Sequence, residues 1–154
     1  MEVQFGLSKV VRNEAVEALT DFLSHTYALY LKTQNFHWNV TGPQFFSLHL
    51  LFQKQYEELA EAVDEIAERV RTLGSYIEAS FSAFQKRTII PESNRKSSAK
   101  VMLKELILGH EMIIRFGRPL ISRFQDIHDD ASSDMLIKRL TFHEKASWLL
   151  RSHL

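Results

Sequence analysis

Apolar residues recur at alternating three- and four-residue steps over most of this chain, and only five glycines and three prolines interrupt them. That period belongs to the α-helix, whose side chains three and four apart share a face. The expected fold is therefore all-α. A first helical segment runs from about Asn13 to His37, with Val16, Leu19, Leu23, Tyr27 and Tyr30 close to one side. Thr41, Gly42 and Pro43 break it, and Pro43 suits the first turn of a second helix. This second helix should continue to about Leu73, before Gly74 ends it. Roughly 30 residues span about 45 Å, long for a small domain.

Residues 75 to 94 read as a connection with one short helix around Ile77 to Phe84, since Pro91, Ser93 and Asn94 suit a turn before a new helix. A third long helix is expected from Ser97 or Ser98 to about Ile127. It carries Val101, Leu108, Met112 and Phe116 along one side, a stripe interrupted by Glu105. Gly117 and Pro119 predict a kink near 115 to 119, or two shorter helices. A last helix from about Ser132 to Ser152 carries Leu136, Leu140, Trp148 and Leu149. Two helical hairpins joined by a long crossover, with a short helix in it, make a ferritin-like four-helix bundle. With no internal repeat or composition shift, residues 1–154 are expected to form one domain.

Composition narrows the chemistry. Nineteen basic and nineteen acidic residues balance, so no overall field draws nucleic acid or an anionic membrane. Cysteine is absent, which excludes disulfides, thiolate metal sites and thiol catalysis and leaves any metal to imidazole and carboxylate donors. No signal-peptide pattern opens the chain and no apolar run approaches membrane-spanning length, so a soluble cytoplasmic protein is expected.

The second helix has two faces to explain. Leu48, Phe52, Tyr56, Leu59, Val63, Ile66 and Val70 form the ordinary core stripe. Roughly opposite lie Glu61, Asp64, Glu65 and Glu68, an acidic stripe that a solvated surface would also produce. Nearer the start of the same helix, Phe46 and Leu50 point away from the core beside His49 and Gln53. A helix apolar on two sides is normally packed on two sides, so a second partner is indicated, plausibly another copy of this chain.

His49 and Asp64 are 15 residues apart on one helix, hence about 22 Å along its axis, too far to bind one ion. A two-fold axis crossing near Glu57 or Glu58 would set His49 of one copy beside the Asp64 to Glu68 turn of an antiparallel partner. His37, just before the Thr41 to Pro43 turn, could join His49. Two imidazoles and two carboxylates suit iron, zinc or manganese, and spacing alone does not choose among them. Any one of these histidines alone is more often structural than a ligand, and it is their combination that points to a metal. No His-Glu-x-x-His helix is present, since neither His110-Glu111 nor His143-Glu144 has a second histidine at the needed step. The Glu-x-x-His signature is also missing.

The run Asn35-Phe36-His37-Trp38-Asn39-Val40-Thr41-Gly42, then Leu48-His49, then Asp64-Glu65-Ile66-Ala67-Glu68-Arg69 resembles the Dps family, the DNA-binding proteins from starved cells, which are bacterial mini-ferritins. The closing His143-Glu144-Lys145 and Trp148-Leu149-Leu150-Arg151-Ser152 are similar to that family's last helix. The resemblance covers nearly the whole chain. It implies a homododecameric shell in which His37 and His49 of one subunit and Asp64 and Glu68 of a two-fold mate bind ferrous iron. There the iron is oxidised, usually by hydrogen peroxide, and ferric oxide is deposited inside. It also marks Trp38 as a site-adjacent tryptophan, although a packing aromatic would look the same. Where the family usually has a carboxylate four residues after the second histidine, this chain has Gln53, a weaker neutral donor that puts a second iron position in doubt. Asp126, Asp129, Asp130 and Asp134 match the acids of the family's three-fold iron-entry pores, and Asp126 and Asp130 would share a face if helical. Capping of the last helix would explain Asp129 or Asp130 as well. DNA binding is expected to be weak, because residues 1 to 11 hold only Lys9 and no basic tail follows Leu154. The alternative is a shell-forming structural or surface-interaction protein with a vestigial or zinc-occupied site.

Overall fold

In a computed structural model the chain is described from residue 3 to 93 and from 96 to 154; Asn94, read above as part of a turn, lies outside the described residues. Five helices and no strands are found among them: α1 Lys9–Asn39, α2 Phe45–Thr72, α3 Phe81–Arg87, α4 Ala99–Asp126 and α5 Asp130–Arg151. Helices α1 and α2 form one hairpin and α4 and α5 the other. Helix α3 rides on the crossover between them and leans on α1. This is the four-helix bundle with a long crossover that the sequence predicts. None of these helices is long and apolar enough to cross a membrane.

Local chemistry sets the helix starts. Ser8, Ser80, Ser98 and Asp129 each accept a backbone N–H of the first turn, from Val11, Ala83, Val101 and Ser132 respectively. The Ser8 cap starts α1 four residues before the expected Asn13, and the Ser80 cap moves the short helix to Phe81–Arg87 from the expected Ile77 to Phe84. Pro43 lies in the turn before α2 rather than in its first turn, where the Phe45 N–H reaches the Gly42 carbonyl at 3.0 Å. Gly74 closes α2 with φ +94°, a conformation that L side chains rarely adopt.

The core runs the length of the bundle through Phe22, Leu29 and Phe36 of α1, Phe52, Leu59 and Ile66 of α2, Leu103, Leu106 and Ile113 of α4, and Leu136 and Leu150 of α5. The stripe assigned to α4 was out of phase. Val101 and Leu108 are exposed, and the buried face instead holds Met102, Leu103, Leu106, Gly109, His110, Ile113 and Gly117. Glu105 sits beside that face to meet the buried Lys32 of α1 at 3.5 Å. Helix α4 continues through Pro119 without dividing. At Gly117 a Cβ would lie 2.7 Å from Leu140 Cδ1 and 2.9 Å from Phe22 Cε2, so a glycine is what lets α1 and α5 approach this closely. On α5, Trp148 is exposed rather than part of the core stripe.

Two buried or half-buried ion pairs fix how α2 meets the second hairpin. Arg139 grips Glu58 through both guanidinium nitrogens at 2.6 and 2.7 Å. Arg69 holds Asp129 at 2.6 Å and also donates to Ser132. Removing one partner of such a pair strands a desolvated charge, which costs several times what an exposed pair contributes.

Candidate metal centre

Antiparallel pairing of α1 and α2 brings the last turn of α1 against the first turns of α2, and with them His37 against His49. Their rings stack with centroids 3.8 Å apart and planes 18° from parallel. The His37 Nδ1 lies 2.8 Å from the His49 carbonyl oxygen, and the His49 Nδ1 lies 2.9 Å from that of His37. A carbonyl only accepts, so each Nδ1 carries the proton and donates. With Nδ1 so occupied, it is Nε2 that carries the free lone pair in the neutral form of each ring, the arrangement in which imidazole ligates a metal. The ring planes are also braced by aromatic neighbours. Phe45 stacks on His49 with centroids 5.1 Å apart, and Tyr56 meets His37 edge-on at 5.1 Å. Unlike the Nε2 atoms of His25, His110 and His143, those of His37 and His49 are not sealed away without a partner.

Asp64 and Glu68 lie one turn apart on the exposed side of α2. Their places fifteen and nineteen residues beyond His49 set them about 22 and 28 Å along the helix from it. Among the described residues no three His, Asp or Glu side chains of one chain are grouped closely enough to hold an ion. Gln53 is half-buried one turn after His49, and its Nε2 donates to Glu57 Oε1 at 2.8 Å. Around the histidines the surface is apolar and uncovered: Trp38 is 63% exposed and Phe46 73%, with Phe45 and Leu50 also exposed. A single chain thus presents an imidazole pair within an apolar rim, apart from the carboxylates of the same helix.

Of the four acids assigned to a pore, Asp126, Asp130 and Asp134 are exposed. Asp129 is not. It is 2% exposed, caps α5 and pairs with Arg69, so it has no carboxylate to offer a pore. Asp126 closes α4 and Asp130 opens α5, so they do not share one helical face. Asp134 pairs with Lys138 at 2.7 Å.

A second histidine pair went unread in the sequence. His110 of α4 and His143 of α5 meet in the core, Nδ1 to Nδ1 at 2.8 Å. Both are fully buried. One ring must donate and the other accept, so the two hold opposite tautomers and neither is charged. Burial pushes His110 down to about 3, helped by the charge of Arg139, and holds His143 well below its ordinary value. The only signal was that positions 110 and 143 fall in the buried phase of their helices.

A helical bundle with a long crossover, an imidazole pair at one hairpin end and exposed carboxylates along the same helix defines a ferritin-like protein. The Ferritin-like domain profile matches residues 16–154. DNA protection during starvation protein 2 of Bacillus anthracis is 32% identical over 94% of this chain and 99% of its own length. Among solved structures, DpsC from Streptomyces coelicolor superposes with a TM-score of 0.96 at 28% identity, covering 99% of this chain and 90% of its own. The Dps protein from Vibrio cholerae O1, described as a member of a broad superfamily of ferritin-like diiron-carboxylate proteins, does so with a TM-score of 0.92 at 26% identity, covering 99% and 96%. The chain belongs to the Dps family of ferritin-like mini-ferritins.

Proposed function

We propose that this chain is a subunit of a hollow twelve-chain shell that binds ferrous iron at two-fold subunit interfaces, oxidises it with hydrogen peroxide and stores the ferric product inside. The observation that carries this reading is the reciprocal His37–His49 arrangement. It leaves two bare Nε2 atoms at the edge of an apolar surface, while the carboxylates that would complete the donor set lie about 22 to 28 Å away on the same chain. An antiparallel second copy brings Asp64 and Glu68 to the imidazoles and covers Phe46 and Leu50 in the same step.

Iron is the substrate here. His37 and His49 supply neutral nitrogen, held in one tautomer by the two carbonyls, and Asp64 and Glu68 of the mate supply the negative charge that favours the ferric product. Two ferrous ions give one electron each to one peroxide, which with two protons leaves as two waters, so no hydroxyl radical is released. Trp38, beside His37, lines the interface. Asp126, Asp130 and Asp134 remain candidates for drawing cations toward a pore. With formal charges balanced, DNA should bind weakly at about 150 mM salt, where exposed charges are screened.

The test is peroxide-driven oxidation of ferrous iron by wild type and by Asp64→Ala, with the particle sized by light scattering. A mass near twelve times 17.9 kDa and a fast phase lost in the variant support the proposal. A stable monomer or simple dimer at micromolar concentration, or oxidation no faster than in buffer, overturns it. Zinc bound in preference to iron, with no turnover, would favour the storage-free alternative.

A further inference from the structure

His49, Gln53 and Glu57 follow one another at one-turn steps along α2, about 6 Å apart. Gln53 stands where a charged donor would serve a divalent cation best, and a lone amide oxygen is a poor substitute. The side chain is not left to itself, however. Its Nε2 donates to Glu57 Oε1 at 2.8 Å. A carboxylate can only accept, so the amide NH2 must face Glu57 and the amide oxygen must face away from it.

We propose that Glu57 is a positioning residue for the metal site. By accepting the Gln53 N–H, it turns the Gln53 carbonyl oxygen toward the His49 side and polarises it, so that a neutral side chain serves as a ligand oxygen for a divalent cation. A hydrogen bond from an amide to a charged acceptor draws electron density onto the amide oxygen, and bonds of this kind are about twice as strong as neutral ones. The negative charge that residue 53 lacks is thereby supplied one turn further on and transmitted through the amide. The proposal rests on the interfacial site described above.

The experiment titrates the assembled shell with Co2+, which takes the same nitrogen and oxygen donors and needs no oxidant, and reads affinity by calorimetry. Glu57→Ala should weaken Co2+ binding about three- to tenfold in the natural background, the net range of one solvent-exposed hydrogen bond. In a Gln53→Glu background the same change should cost less than about twofold, because a carboxylate at 53 brings its own charge. Glu57→Gln keeps an oxygen able to accept the Gln53 N–H and should lose less than Glu57→Ala. Equal losses in the two backgrounds would mean that Glu57 acts only as a distant charge, and equal losses for Glu57→Gln and Glu57→Ala would mean that orientation plays no part; either overturns the proposal. If Asp64→Ala abolishes Co2+ binding while Glu57→Ala leaves it unchanged, this inference fails alone. If Asp64→Ala binds Co2+ as wild type does, the interfacial site fails and this inference with it.

Discussion

Each hairpin of the bundle holds a pair of facing histidines, and the two pairs do opposite things. In the α1–α2 hairpin, His37 and His49 spend their Nδ1 protons on each other's backbone carbonyls and keep both Nε2 lone pairs free. In the α4–α5 hairpin, His110 and His143 spend Nδ1 on each other, and both Nε2 atoms are buried with no partner. The first arrangement can take up a cation. The second, sealed beside Arg139, is a neutral piece of core. Which nitrogen is tied, and to what, separates a ligand from a packing residue; the residue type alone does not.

The comparison can be broken most severely by activity. His49→Ala and His37→Ala should each lower the fast phase of iron oxidation by about a hundredfold or more, since losing even a residue that only supports a metal ligand costs about 10- to 100-fold. His110→Leu and His143→Leu should leave that phase within about twofold in the material that folds, since both are sealed in the core between α4 and α5. A large loss in the core variants with normal assembly would erase the distinction.

Stability should show the reverse ranking at a smaller scale. Removing one member of the buried pair strands the other in apolar surroundings, so His143→Ala should cost about 2–4 kcal/mol by the combined loss of a hydrogen bond and a cavity. Asp64→Ala and Glu68→Ala, at exposed positions, should stay within about 0.5 kcal/mol. Urea midpoints at neutral pH read both.

Acid should act mainly through the buried rings. His25 is held down to about 4 by burial, with Asp21 opposing, and His110 to about 3, against an ordinary value of 6.5. Between those values and 6.5 the unfolded chain binds more protons than the folded one, so stability rises with pH there. Their contribution is full above about 6.5 and is lost progressively as pH falls toward 4 and then 3. The urea midpoint should drop between pH 7 and 4.5, and the drop should shrink in the His110→Leu, His143→Leu double variant. An equal drop in that variant would remove the buried pair from the account.

Much of this was legible in the residues, and what was not has specific causes. Gly74 and Ser98 punctuate the chain sharply, so the end of α2 and the start of α4 fall where the sequence places them. The start of α1 is hard to read because Lys9, Val10, Val11 and Arg12 are too short a run to show a helical stripe of their own. Ser8 nonetheless caps the helix there, and Arg12 is buried through a hydrogen bond to the Leu7 carbonyl. The α4 core face was misphased because Gly109, His110 and Gly117 occupy buried positions that a search for large apolar side chains passes over. His37 and His49 were visible as a pair because they flank one turn. His110 and His143 are 33 residues apart, far from the α4–α5 turn, and meet only once that hairpin has closed along much of its length.

The central claim is that the site is shared, and complementation tests it directly. In a dimer of a His49→Ala chain with an Asp64→Ala chain, one interface site carries both defects and the other carries neither. Random pairing on co-expression makes about half of the dimers mixed, so roughly a quarter of all sites should be intact. The quantity to measure is the amplitude of the fast phase of peroxide-driven iron oxidation in the co-expressed shell, beside each single mutant and wild type. Recovery near a quarter of the wild-type amplitude is the predicted result. A co-expressed shell no faster than the average of the two single mutants would contradict it, because ligands drawn from one chain would leave every site with one defect.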